Sequence, residues 1–365
     1  MSELRAAIDA AYAMPASLAQ VEALDLLARQ AEQRNDPELT MHGLFSLYYA
    51  AFKMMLVERM LATYTAMRGT FDRHAARLSP ETAVNVAHLG MHALYLVDGI
   101  PEISRAKIDE LYQDVDRAYV AHGLSRYSLL AARLSSYFSA GYLERARALY
   151  AELTTMTADD EGCEACQISR RAWFLLELER PDEAIEASQP IVARGVKCES
   201  QPAGSWASLM IPHARRGEWQ IARSYHARLH RVALARPTWV HNAGASAKFA
   251  AIDRAYAKGK NVIERALPHA LNDATKAGRF GFFTAVIVWL DAVARERSTV
   301  TLALPPTFSL YDPSGRYAIA PLRAWFADAA EQIAGLFDRR NGNTYWADEL
   351  AKASDVLELV PERDA

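Results

Sequence analysis

The chain has 365 residues, with 41 Lys and Arg against 44 Asp and Glu, a formal net charge of −3, 51% hydrophobic residues and 23% charged ones. Both signs are interspersed, which leaves no basic stripe for nucleic acid and no polybasic anchor for a membrane, so neither is expected as a partner. The apolar content excludes a disordered chain. The length would hold two ordinary domains or one repeat array with a shared core, and the array is the expectation.

The chain opens with Met1-Ser2-Glu3-Leu4-Arg5 and passes straight into an amphipathic pattern. It shows no apolar core or cleavage site of a secretory signal, so a cytoplasmic location is expected. Val21, Leu24, Leu27, Ala28 and Ala31 share one helical face. Asn35-Asp36-Pro37 breaks that helix and starts another, with Asp36 as cap and Pro37 in the first turn; it is expected to run to about Thr65. Its centre carries Leu44, Phe45, Tyr48, Tyr49, Phe52 and Met55, so both flanks should touch neighbours. Ser79-Pro80-Glu81 opens a helix to about Val97, closed by Asp98-Gly99-Ile100-Pro101, and Arg105 to Tyr119 forms the next.

A pause followed by a small residue then recurs: Gly141 before Ala146, Arg180-Pro181 before Ala184, Gly217 before Ala222, with the alanines 38 residues apart each time. That is the period of stacked helical hairpins, with units at roughly 124–160, 161–197 and 198–235 and a longer one at 238–297. The predicted fold is all-α, a right-handed superhelical solenoid of antiparallel helix pairs, tetratricopeptide-like and irregular at both ends. The apolar run Phe282–Leu290 is too short to span a membrane and reads as a buried helix. Prolines and β-branched residues in 298–316 predict an extended connector over the surface, with a short strand at most and no strand pair. Ala320–Arg339 is helical again, Asn341-Gly342-Asn343 ends it, and a last helix covers Tyr345–Leu357. The expected organisation is therefore a repeat solenoid over 1–297, the connector at 298–316 and a helical cap over 317–365.

Three cysteines are an odd number for a disulfide framework, and a cytoplasmic chain keeps them reduced. Cys163-Glu164-Ala165-Cys166 is a two-spaced pair, and Cys198 follows 32 residues after Cys166, close to one repeat, so stacking can gather all three. Such a spacing lets two thiolates face one zinc ion, which takes four sulfur or nitrogen ligands in structural sites. His213, His226 and His230 are candidates for the fourth. Inert buried thiols and a redox dithiol are the alternatives, the latter disfavoured because no strand precedes Cys163.

Cys163-Glu-Ala-Cys166, Glu183-Ala184, Cys198-Glu-Ser-Gln201-Pro202, Gly217 with Ala222, and Phe337-Asp338-Arg339-Arg340-Asn341-Gly342-Asn343 resemble the landmarks of an uncharacterised group of bacterial tetratricopeptide-like proteins. The resemblance spans about 100–345. It implies an all-helical repeat fold and a protein-interaction role, and supplies no activity. Members often carry histidine or glutamine after the proline that follows the third cysteine, where this chain has Ala203.

Asn85, His88 and His92 fall on one helical stripe, extended by Tyr95, and can line a groove for a partner. Arg126 and Arg133 share a face and suit carboxylate recognition, although packing, solvation and ion pairing are the ordinary reading of such residues. Phosphate cradles, catalytic carboxylate motifs and a serine nucleophile elbow are absent from the sequence. The expected function is a non-catalytic adaptor or scaffold that binds a protein or peptide through a helical-repeat groove, with a structural zinc at Cys163, Cys166 and Cys198. The alternative is a metal-dependent enzyme, or a redox or metal sensor, built on the same three cysteines.

Overall fold

The computed structural model describes residues 3–157, 163–272 and 275–359. The expected unit boundary at 160/161 and the end of the expected C-terminal cap lie outside the described residues. Two compact units divide the chain. One holds the described residues up to Ser136 with Leu153–Thr157; the other holds Tyr137–Glu152 and the described residues from Cys163 on.

The first unit contains α1 (Glu3–Tyr12), α2 (Leu18–Gln33), α3 (Pro37–Lys53), α4 (Val57–His74), α5 (Pro80–Val97), α6 (Arg105–Ala121) and most of α7 (Tyr127–Ser139). Ser17, Asp36, Ser79 and Ser104 each accept a hydrogen bond from the amide three residues on, which satisfies one of the orphan donors at a helix start. The single helix expected from Pro37 to Thr65 is instead two, α3 and α4. Met55 breaks it by adopting a left-handed backbone (φ 56). The Met55 and Leu56 amides then bond back to the carbonyls of Phe52 and Ala51. Both flanks of α3 are covered, as its composition requires: Met41, Leu44 and Tyr48 pack with residues of α4 and α5, while Leu39 and Leu47 pack with residues of α1 and α2. Buried Asp98 accepts from Arg105 (2.8 Å) and from Ser136 (2.9 Å), so its charge is both paired and hydrogen-bonded.

The second unit contains α8 (Leu143–Thr154, up to Glu152), α9 (Glu164–Glu177), α10 (Pro181–Ala187), α11 (Gln189–Val192), α12 (Ala203–Arg215), α13 (Trp219–Ala235), α14 (Val240–Ile252), α15 (Tyr256–Asn272), α16 (Lys276–Ala294), α17 (Ile319–Asn341) and α18 (Tyr345–Ala351). Here a left-handed turn residue recurs at Gly141, Glu179, Gly217 and Arg254, in steps of 38, 38 and 37. At the first three, the following amide bonds to the carbonyl five residues back: Tyr142 to Tyr137 (2.9 Å), Arg180 to Leu175 (2.8 Å) and Glu218 to His213 (2.9 Å). These bonds close the preceding helix by satisfying its last carbonyls. Five residues after each left-handed residue stands a small buried one. Ala146, Ala184 and Ala222 are each 0% exposed. The fourth is Gly259, where a Cβ would lie 2.3 Å from Trp289 Nε1. Only a small side chain permits that helix approach.

The C-terminal landmarks are explained by one docking. Phe337 stacks on Trp346 (3.9 Å, 8° between planes), and the Asp338 carboxylate accepts the Trp346 and Ala347 amides that open α18. Left-handed Gly342 ends α17. Asn343 donates to the Ala140 carbonyl, Trp346 Nε1 to that of Ser139, and Tyr142 to that of Asn341. Gly141 lies directly under this contact, since a Cβ there would be 2.4 Å from Tyr345 Cβ. Between α16 and α17 the chain forms a strand pair that the sequence did not announce: β1 (Thr299–Thr301) lies antiparallel to β2 (Arg316–Ala318), with Val300 opposite Tyr317. The segment joining them does not simply cross the surface, because Leu302, Leu304 and Phe308 are buried in the same core as α16 and α17. α16 is long and apolar enough to cross a membrane by composition alone, yet Phe282, Val286, Val288 and Leu290 are each 0% exposed within this unit.

Exposed Glu179 makes its turn in the backbone region that favours glycine. Glu179→Gly is expected to raise the unfolding free energy by about 0.5–1 kcal/mol, because relief of the left-handed cost exceeds the added unfolded-state entropy. Ala222→Leu is expected to lower it by about 1–3 kcal/mol through overpacking. Denaturant melts of both variants check this; equal stability of all three proteins would contradict the packing described.

Candidate metal centre

Cys163 caps the N-terminus of α9 from an extended backbone (φ −86, ψ 110), and its carbonyl accepts the Cys166 and Gln167 amides at 2.9 and 3.0 Å. This turn places Cys166 one helical turn from Cys163. Cys198 arrives from the segment before α12. The three sulfurs all lie within 4.8 Å of one another. Cys166 Sγ is 3.6 Å from Cys198 Sγ, and two thiolates on a tetrahedral zinc ion at ~2.3 Å are about 3.8 Å apart. The three cysteines are thus close enough to hold a metal ion. Cys163 is at the surface and the other two are half-buried.

The segment carrying Cys198 is held by a residue whose role the sequence did not reveal. Gln201 precedes a cis peptide bond to Pro202. Its amide donates to Ser169 of α9 (2.9 Å), while its carbonyl oxygen accepts both the backbone and hydroxyl of Ser205 in α12 (2.9 Å each). The Gln201 main-chain carbonyl also accepts the Cys198 amide at 3.2 Å. Gly204 leaves room for this, since a Cβ there would sit 2.6 Å from Gln201 Nε2. The cysteine segment is therefore tied to α9 and α12 together. Ser200 Oγ lies 3.5 Å from Cys198 Sγ and 3.7 Å from Cys166 Sγ.

Burial, with the neighbouring thiols adding, pushes the Cys166 thiol up to about 12. Burial works in the same direction on Cys198, but hydrogen bonds from Ser200, Cys163 and Cys166 outweigh it and hold its pKa below the ordinary thiol value. Cys198 therefore ionises before Cys166. A cation held there would supply positive charge beside a thiolate at Cys166.

Among the described residues, no histidine or carboxylate joins the three sulfurs within that 4.8 Å group. The histidines considered as fourth ligands are engaged elsewhere. His213 Nδ1 lies 2.5 Å from Glu218 Oε2. His226 Nε2 lies 3.1 Å from Ser246 Oγ, and His230 Nδ1 approaches the same hydroxyl at 3.4 Å. The remaining sequence-predicted residues are in the first unit. On α5, Asn85 is exposed while His88 and His92 are half-buried, with their rings beside Tyr119 and Tyr48 respectively. Arg126 pairs with Asp116 (2.7 Å); Arg133 pairs with Asp109 (2.9 Å) and lies over the Tyr112 ring. Both arginines are therefore engaged with α6.

His226 is 1% exposed, and burial, then Lys258 and His230, push its pKa down to about 4. Burial and Lys258 lower His230 as well. The native state excludes a proton that the unfolded chain takes up below about pH 6.5, so this stability is complete above that pH and is lost as pH falls towards 4. The unfolding free energy is expected to drop by about 2–3 kcal/mol between pH 7 and 4.5 on account of His226. His226→Gln should flatten that part of the profile; an unchanged slope in denaturant melts across this range would refute the assignment. No known protein family, no curated protein and no solved structure matches this chain.

Proposed function

We propose that this chain is a non-catalytic scaffold of tetratricopeptide-like helix pairs stacked in a right-handed solenoid, which binds a protein or peptide segment and uses Cys163, Cys166 and Cys198 to hold a structural zinc ion. The observation that carries the reading is the gathering of three sulfurs from α9 and from the segment before α12. Those elements stand about one 38-residue step apart, so a shared ion fastens one repeat to the next. Thiolate-rich donor sets select zinc over harder divalent cations. The recurring left-handed turns, each followed five residues later by a small buried residue, support the repeat architecture. Repeat arrays present extended surfaces suited to protein segments.

A second reading is favoured by one specific observation: the protein supplies three sulfurs, and Cys163 is at the surface. An open fourth position would suit a metal sensor or a metal-dependent enzyme. Chelation separates the two. A structural ion is part of the folding free energy, and in zinc-finger peptides such binding amounts to about 10–16 kcal/mol at neutral pH.

The full chain, purified without chelator, is expected to carry one zinc per chain, to lose it on Cys198→Ser, and to melt at a markedly lower temperature after chelation. Metal loss without a change in melting would favour the sensor or enzyme reading. Metal-free protein with an unchanged transition would dismiss both. For the scaffold role, affinity recovery from the native cell is expected to return a reproducible protein partner; repeated failure would contradict it.

A further inference from the structure

The second unit contains a cleft of about 820 Å³ that has no connection with the cysteines. Three pieces of chain enclose it. The turn from Arg254 into α15 contributes Arg254, Tyr256, Lys258 and Lys260; Arg297 follows α16; and the β1–β2 ribbon contributes Thr299, Thr301 and Arg316. Five of the lining residues are cationic and none is acidic. Lys260 shares Glu264 at 3.6 Å, whereas Arg254, Lys258, Arg297 and Arg316 have no ion pair among the described residues. In a chain of net charge −3, five cations facing one concavity run against the average.

Two features add to that potential. The cleft lies at the N-terminal end of α15, a 17-residue helix, whose first-turn amides and dipole favour an anion. Arg254 itself adopts a left-handed backbone (φ 54) at the turn position where two of the three earlier repeats use glycine. Glu179 shows that this turn accepts a side chain at a modest backbone cost. What distinguishes Arg254 is that it lines one cavity together with four other cationic residues.

A single carboxylate or monophosphate would leave most of these charges facing each other. The volume falls within the range of small-molecule sites, roughly 300–1,000 Å³. Duplex nucleic acid is instead recognised by stripes of phosphate contacts along its length. We propose that this cleft binds a small molecule bearing two or more linked phosphoryl groups. The guanidinium groups of Arg254, Arg297 and Arg316 would engage phosphoryl oxygens, with Lys258 and Lys260 as flanking charges and the Thr299 and Thr301 hydroxyls as further donors. The linked phosphates are the recognised chemistry, whether carried by an inorganic polyphosphate or a nucleotide.

The test is calorimetric titration of the full chain with tripolyphosphate, ATP and orthophosphate at about 0.1 M salt, where long-range attraction is screened beyond about 10 Å. Saturable 1:1 binding of tripolyphosphate is expected, with orthophosphate at least about tenfold weaker, a ratio corresponding to the loss of one charged hydrogen bond. ATP binding tighter than tripolyphosphate would assign a nucleotide; equal or weaker binding would assign the phosphate chain alone. Arg254→Gly should weaken tripolyphosphate about tenfold or more while leaving the ligand-free melting temperature unchanged or raised, since glycine suits that backbone. Arg316→Gln should weaken binding similarly, and Arg231→Gln, outside the cleft, should not. No saturable heat at millimolar tripolyphosphate would overturn the proposal, as would equal affinity in Arg254→Gly, Arg316→Gln and the unaltered chain. A single-stranded oligonucleotide that binds more tightly than tripolyphosphate, with affinity rising with its length, would also overturn it in favour of a nucleic-acid surface.

Discussion

The structure of the second unit depends on one local constraint: a helix closed by a left-handed residue, followed five positions later by a residue too small to hold the next helix away. The turn satisfies the carbonyls at the end of one helix, and the small residue fixes how closely the following helix packs. The same pair of devices recurs at steps of 38, 38 and 37 residues. Cys166 and Cys198 are 32 residues apart in the chain and 3.6 Å apart in space.

The same constraint links stability to the candidate sites. Gly141 carries the C-terminal docking of Tyr345 and Trp346, and Gly259 sits against Trp289, which lines the basic cleft. The three-cysteine cluster likewise rests on positioning: Gln201 ties the Cys198 segment to Ser169 and Ser205, and Gly204 makes space for it. Each site stands beside a turn or helix start rather than in mid-helix, which is where unsatisfied backbone donors and charged termini are found.

Much of this was legible in the sequence where residue identity alone determines the local outcome. Asp36-Pro37 and Ser79-Pro80 mark helix starts because their side chains and fixed backbone angle fit no neighbouring position as well. The 38-residue spacing of Ala146, Ala184 and Ala222 was visible, and so was the approach of the three cysteines. Other features were hidden for physical reasons. Met55, Glu179 and Arg254 take a left-handed turn without being glycine, so the break between α3 and α4 carries no mark. The three-residue strands β1 and β2 are joined by 302–315 rather than by a tight turn, so no hairpin signature exists. The cations of the cleft are scattered from Arg254 to Arg316, and only folding brings them to one concavity. Ser200 and Gln201 stood beside Cys198 in the sequence, yet the hydrogen bonds that give Gln201 its positioning role are tertiary.

The most direct measurement of the central claim is X-ray absorption at the metal edge of the purified full chain. A zinc edge with three sulfur scatterers at about 2.3 Å is the predicted result. A metal shell of nitrogen and oxygen alone, or three thiols that all react freely in a chain that binds no zinc when it is supplied, would contradict it.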